Sequence, residues 1–244
     1  MSTSIISTIA GTGSDTFSGD GGQATSATLN QPVGVAVDTS GNVYIGDTVN
    51  HRVRKVTAST SVITTIAGTG AEGYSGDGGQ ATAALIKYPH GVNLDSASNV
   101  YFGDTATAHN VIRKVTVSTG IISTVAGRGG SYGDNMQATA VYLTSPQGVV
   151  LDSADNVYIC EVDNNRVRKV DASTGLITTI AGTGTASSTG DGSAATSASI
   201  NGPNVGRFDS AGNLYITESG GNRIRKVMTV NTDIPTTAPS MTPR

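Results

Sequence analysis

Tryptophan is absent from this 244-residue chain, cysteine occurs once and aromatic residues make up 5%. A single cysteine, Cys160, cannot form an internal disulfide, so the fold has to be held by packing and hydrogen bonds. A row of aromatic side chains for stacking bases, which a single-strand nucleic-acid binder combines with a basic groove, has little to be built from. Charged residues are also sparse, at 14% against a usual ~25%. The net charge of −3 argues against a nucleic-acid partner. No run approaches the ~20 apolar residues of a membrane span. Met1-Ser2-Thr3-Ser4-Ile5-Ile6 lacks the basic region and long apolar segment of a secretory signal.

Glycine is plentiful at 32 residues, about twice the usual ~7%, and it falls in a repeating pattern. The tetrad Thr-Ile/Val-Ala-Gly begins at Thr8, Thr65, Thr124 and Thr179, spaced 57, 59 and 55 residues apart. Pro32, Pro89, Pro146 and Pro203 keep the same order. Nearly the whole chain is therefore four copies of one unit, and self-similarity at such a period is the mark of a repeat architecture.

Within a unit the apolar runs are short and bounded by Gly, Asn, Asp or Pro, which reads as strands and not helices. In the first full unit they are Gly34–Asp38, Asn42–Gly46, Arg52–Val56 and Ile63–Ala67, here a, b, c and d. Asp38-Thr39-Ser40-Gly41-Asn42 carries the turn residues of a tight a-to-b hairpin, repeated at Asp95, Asp152 and Asp209. Between d and the next a lies a Gly-Asp-Gly loop, then a segment such as Gln23–Leu29 with room for about two helical turns before Pro32 stops it. A four-stranded antiparallel unit with β-branched residues on both faces must cover two faces. Radial stacking of such sheets in a β-propeller does so, while solenoid units are shorter and hold fewer strands.

The run Pro-x-Gly-Val-x-x-Asp-x-x-x-Asn-Val-Tyr-Ile-x-Asp/Glu-x-x-Asn-x-Arg-Val-Arg-Lys-Val resembles the NHL-repeat family of propellers, over roughly residues 5 to 228. The family's Asn and Arg signature falls on Asn50 and Arg52, Asn164 and Arg166, and Asn222 and Arg223. The second unit departs from it, with a longer stretch from Asp104 to Arg113 and Val111 where Arg52 would stand. The resemblance implies binding modules for protein or RNA, with a minority of lyases and lactonase-like enzymes. It thus fixes a fold and not an activity.

The expected architecture is an all-β propeller of four four-stranded blades over residues 1–230, followed by a disordered Pro/Thr/Ser tail over 231–244. The chain starts with a lone d strand, Ile5–Ala10, and Pro235 and Pro239 block a d strand after strand c of the last unit. Residues 5–10 are therefore expected to pair with residues 223–228 and close the ring, covering an edge open to aggregation. The alternative is an open arc, or part of a six-bladed ring, the family's commoner closure. A monomer is expected. The Thr/Pro-rich tail favours an extracellular setting.

Most chemically suggestive residues repeat once per unit, which assigns them to the scaffold. Eleven of the 15 Lys and Arg residues lie in strand c, where a ring distributes them and denies them the contiguous patch that phosphate tracking needs. Each cluster follows an acid at the end of strand b, Asp47, Asp104, Glu161 or Glu218, which suggests intrablade ion pairs and a solvated rim. Asp20, Asp77, Asp134 and Asp191 in the Gly-Asp-Gly loops offer one carboxylate each, too few for the six to eight oxygens of calcium. They suit the capping of the following helix. Tyr44, Tyr101, Tyr158 and Tyr215 read as interblade packing, and Cys160 as a small packed residue.

Function is expected where the units differ. In strand a, nearest the axis, the aligned positions are Ala36, Asn93, Val150 and Arg207, and Arg207 follows a reversed Val205-Gly206. All three histidines fall on the face made by the d-to-a and b-to-c connections, His90 entering strand a and His51 and His109 in b-to-c loops. The reading is a non-catalytic binding or scaffold module using that face, with Arg207, Asn93, His90, His51 and His109 as binding residues for a protein or a small polar or acidic ligand. No cofactor or metal is expected. The competing reading is a metal-dependent lyase or lactonase-like enzyme at the same face, with the three histidines as ligands.

Overall fold

In a computed structural model of the chain, which describes residues 4–106 and 109–228, the chain forms a four-bladed β-propeller, with no α-helix among the described residues. The first blade is β1 (Pro32–Val37), β2 (Val43–Asp47), β3 (Arg52–Thr57) and β4 (Val62–Ala67); the second is β5 (Pro89–Leu94), β6 (Val100–Ala106), β7 (His109–Thr116) and β8 (Ile121–Gly127). The short β9 (Met136–Gln137) joins the outer edge of the third blade, β10 (Pro146–Leu151), β11 (Val157–Glu161), β12 (Arg166–Val170) and β13 (Leu176–Ala181). The fourth sheet is β14 (Pro203–Phe208), β15 (Leu214–Glu218) and β16 (Arg223–Val227). Apart from the added β9, every sheet is an antiparallel meander, with β1, β5, β10 and β14 innermost.

The a-to-b hairpins form as the turn residues require. Asp38 Oδ1 accepts from the amides of Ser40 and Asn42, both at 2.9 Å, and the Asn42 side chain donates to Asp38 Oδ2 at 2.8 Å. Asn42 Oδ1 in turn accepts from Ala58 N–H, tying the hairpin to the c-to-d turn. Residues at or near the turn apex take positive φ, as Gly41 (+81°), Ser98 (+63°), Asp155 (+61°) and Gly212 (+79°) do.

Neighbouring blades touch through their innermost strands, backbone against backbone. A Cβ at Gly91 would lie 2.2 Å from Gln147 O, and one at Gly148 would lie 2.1 Å from Asn204 O. The core fills the wedges between sheets, for instance Tyr44, Val53, Val92, Phe102 and Ile122 between the first two blades. Tyr44, Tyr101 and Tyr158 are buried there, whereas Tyr215 on the last blade is exposed.

Three expectations are corrected. The segment after each Gly-Asp-Gly loop makes one three-residue 3-10 turn, such as Ala24–Ser26, and not two turns of α-helix, because the next residue is already extended (Ala27 φ −79°, ψ 161°). His109 lies in β7 and not in a loop, since the longer second hairpin stays paired out to Ala106 and His109. The closing strand is not formed: residues 5–10 have no strand partner among the described residues, and the fourth sheet stops at β16. The physical reason is geometric. Inner strands pack in the series β1, β5, β10, β14, that packing is not repeated between β14 and β1, and Gly11 N–H to Ala24 O (2.9 Å) holds the start of the chain on the first blade. The tail expected over 231–244 lies outside the described residues.

Candidate functional site

The charged side chains sort themselves by whether they have partners. In each unit the strand-b acid caps the amide of an incoming segment and meets the strand-c arginine. Asp47 accepts from Asn30 N–H at 2.7 Å and from Arg54 Nη1 at 3.1 Å; Asp104 accepts from Lys87 N–H at 2.8 Å and from Arg113 Nη1 at 3.1 Å. The far side of each arginine holds the loop aspartate, Asp20, Asp77, Asp134 or Asp191, at 2.7 to 2.9 Å. The intrablade pairing is thus as expected, but the setting is not. Arg54, Arg113 and Arg168 are fully buried instead of solvated at a rim, and the loop aspartates serve these arginines and not a helix start. Burial raises the Asp104 carboxyl, to about 7, against the lowering pull of the Lys87 amide and Arg113. The strand-c lysines lie over the tyrosine rings, as Lys55 does over Tyr44 at 5.5 Å.

Arg207 breaks this pattern. It is exposed, and among the described residues it is the one arginine with neither an ion pair nor a hydrogen bond. Its position on β14 places it on the axis, where it lines two stacked cavities. The wider, about 460 Å³, is walled by the inner strands and a-to-b turns of the first two blades, including Val37, Asp38, Asn93, Asp95 and Ser96. The narrower, about 130 Å³, runs between the starts of the four inner strands and includes His90 and Gln147. Asn93 Nδ2 donates to Val149 O at a long 3.4 Å, and its Oδ1 accepts from Leu94 N–H at 2.8 Å.

Arg207, Asn93 and His90 therefore share the axis, but Arg207 and Asn93 open toward the a-to-b turns, the face opposite the d-to-a and b-to-c face expected from the sequence, because they lie near the end of the inner strands where the chain turns into strand b; His90, at the strand start, lines the narrower cavity. His90 Nδ1 is buried without a hydrogen-bond partner, and burial holds the imidazole below its usual pKa. The other two histidines are elsewhere. His51 accepts from Tyr88 N–H at 3.3 Å with its ring 5.0 Å from that of Tyr88, and His109 stacks with Tyr74 at 5.3 Å. Asp38 and Asp95 on the cavity wall are already engaged: against burial, which pushes them up, Asn42 and Asn99 hold them below the usual carboxylate range. No group of three His, Cys, Asp or Glu side chains converges as metal ligands among the described residues.

A second cluster was not singled out from the sequence. Tyr74 Oη bonds Asp77 at 2.7 Å, Thr124 at 2.6 Å and Arg128 Nη1 at 3.2 Å, with the Arg113 and Arg128 guanidiniums over its ring. The signal was available, since Arg128 stands where the other units have Thr12, Thr69 and Thr183.

The NHL repeat family model matches residues 29–56 and 143–170, which span the strand a to c core of the first and third units. The chain carries NHL repeats. The units outside the match are the ones with irregular hairpins, β6–β7 in the second and the Val205-Gly206 reversal in the fourth. This NHL-repeat propeller is 28% identical over 162 residues to Protein SUPPRESSOR OF QUENCHING 1, chloroplastic, of Arabidopsis thaliana, covering 64% of this chain and 15% of that protein. It is 33% identical over 151 residues to Teneurin-4 of Mus musculus, covering 54% of this chain and 5% of that protein. The chain thus spans a small part of the length of these relatives. A structural genomics protein of unknown function from Bacteroides thetaiotaomicron superposes with a TM-score of 0.63 at 24% identity, covering 80% of this chain and 46% of that one. At that identity the likeness speaks for the fold alone.

Proposed function

We propose that this NHL-repeat propeller is a non-catalytic binding module that receives a polar, anionic group at its axis, held by Arg207 with Asn93 beside it. The observation that carries the reading is Arg207 itself. The four strand-c arginines Arg54, Arg113, Arg168 and Arg225 each hold two carboxylates, so this fold supplies partners for its arginines wherever they are structural. Arg207 has none among the described residues, and it lines a polar cavity whose two carboxylates are occupied by neighbouring amides. A planar guanidinium with its donors free is suited to bidentate contact with a carboxylate or phosphate. The metal-dependent lyase reading has no set of residues to carry it in the described part.

The test is thermal shift in the presence of small carboxylates, inorganic phosphate and short acidic peptides, on the native chain and on Arg207→Met. The expected result is stabilisation of the native chain by at least one probe and none of the variant. An equal shift in both proteins, or no response to any probe, would overturn the reading.

A further inference from the structure

The first three sheets each have an outermost strand; the fourth has the place for one. Ile63, Ile122 and Ile177 of β4, β8 and β13 are fully buried and close the wedge toward the preceding elements. Their backbones pair outward with the Gly-Asp-Gly loop: Gly21 N–H donates to Ile63 O, Gly78 N–H to Ile122 O and Asn135 N–H to Ile177 O, each at 2.8 Å. In the fourth unit the corresponding amide of Gly192 has no partner among the described residues, nor has that of Ala195, whose counterparts Ala24, Ala81 and Ala138 donate to the c-to-d turn. Between this loop and the free edge of β16 lies a groove of about 630 Å³, lined by Ala181, Ala198, Ile200, Ile216, Ile224 and Val227. Ile224, at the position of the fully buried Val53, Ile112 and Val167, is 65% exposed.

The chain also carries a strand of this type that is out of place. Ile5-Ile6-Ser7-Thr8-Ile9-Ala10-Gly11 matches Val62-Ile63-Thr64-Thr65-Ile66-Ala67-Gly68 in every apolar and small position. Ile6, the counterpart of Ile63, is 98% exposed. The residues after β16 fit the groove less well at the spacing of the other units. Pro235 would stand at the position of Thr64, whose amide faces strand c because that of Ile63 faces the loop, and proline has no amide to give. Pro239 would stand where Gly68 adopts φ +90°, which its ring forbids.

We propose that the groove beside β16 receives residues 5–10 of a second copy of this chain, so that copies join head to tail by donating a strand. The added strand restores the backbone pairs on both sides of the groove, which is the β-augmentation mode of recognition, and buries Ile6 in a wedge shaped for it. Leu29 of the donating copy, the counterpart of Ile86, comes to rest on Ile224. Within one copy the strand is held on the first blade, away from β16. Val205 replaces the glycine through which inner strands touch in the earlier blades, so the joined copies sit apart at the axis; the donated strand is at the outer edge, and Gly11 and Gly13 give it room to adjust. Such a contact is heterologous, and it closes a ring or extends an open assembly.

Light scattering on the 244-residue chain, with Ile6→Asp as a variant that cannot donate and Ile224→Asp as one that cannot accept, tests this. Both side chains are exposed, so each variant folds as the native chain does. The native chain is expected above monomer mass, each variant alone at monomer mass, and an equimolar mixture of the two at dimer mass and no larger. A monomeric native chain overturns the proposal; if Ile6→Asp then lowers its melting temperature, the strand is bound within one copy. Assembly of either variant to the native mass also overturns it.

Discussion

Arg113 and Asp104 form an ion pair at 3.1 Å in which neither side chain has any exposed surface, in the middle of a protein with few charges. The pair survives there because Arg113 also holds Asp77 at 2.9 Å and Asp104 also accepts Lys87 N–H, so the charges meet close partners on more than one side. It fastens strand c of the second blade to the loop that enters that blade.

Arg113→Met is therefore expected to cost about 3–5 kcal/mol, because it leaves the Asp104 carboxylate buried and uncompensated. Adding Asp104→Asn should recover part of the loss. Chemical denaturation measures both, and a single-variant loss below ~1 kcal/mol would falsify the account.

Arg207→Met has the opposite expectation for stability. With no partner to strand and an exposed site, the change should stay within about 0.5 kcal/mol of the native chain. A large loss would mean that Arg207 holds the axis together and is not free to meet a ligand.

The contact between inner strands can be probed at Gly148. A Cβ there meets Asn204 O at 2.1 Å, and that oxygen is backbone, which cannot swing aside as a side chain would. Gly148→Ala should cost about 1–3 kcal/mol through overpacking. Gly130→Ala, with nothing within 4 Å of the new Cβ, is the control and should be silent.

His90 gives the pH dependence a sign. Burial holds its pKa below the ordinary 6.5, so the folded state prefers the neutral ring and the unfolded state binds protons first. This contribution to stability is present above pH 6.5 and is lost as pH falls through the lower, folded-state value. Asp104 and Glu161, whose carboxyls burial raises, act with the opposite sign over the same range, so His90 is read by difference: between neutral pH and about pH 5 the native chain should lose more melting temperature, or gain less, than His90→Asn. His51, also lowered by burial first, contributes with the same sign as His90 in both proteins and cancels in that difference.

Cys160 is fully buried, and burial pushes its thiol up to about 12. The native protein should resist a thiol-specific reagent at mildly alkaline pH and react at once in denaturant. Rapid labelling of the folded chain would place Cys160 at a surface.

The repeat itself made the fold legible. Pro32, the Asp38–Asn42 turn, Tyr44 and Arg54 recur once per unit, and each is satisfied within its own blade or against the next, so local pattern and tertiary role agree. The loop aspartates were misread for the opposite reason. Asp20 bonds Arg54 across 34 residues, a contact that only the stacking of the loop on strand c creates. The 3-10 turns were misjudged because length and composition permit two helical turns, while the chain must become extended at once to reach the axis.

The candidate site divides along the same line. Sequence alone determined that Arg207 and Asn93 are exceptions among equivalent inner-strand positions, because the comparison needs nothing but the repeat. Tertiary structure alone decided that Arg207 goes unpaired, that His90 joins it on the axis while His51 and His109 do not, and that the strand at Ile5–Ala10 is parted from the edge it matches. Partnership and distance depend on how blades are set around the axis, and that angle is fixed by contacts such as Gly91 on Gln147, between residues far apart in the chain.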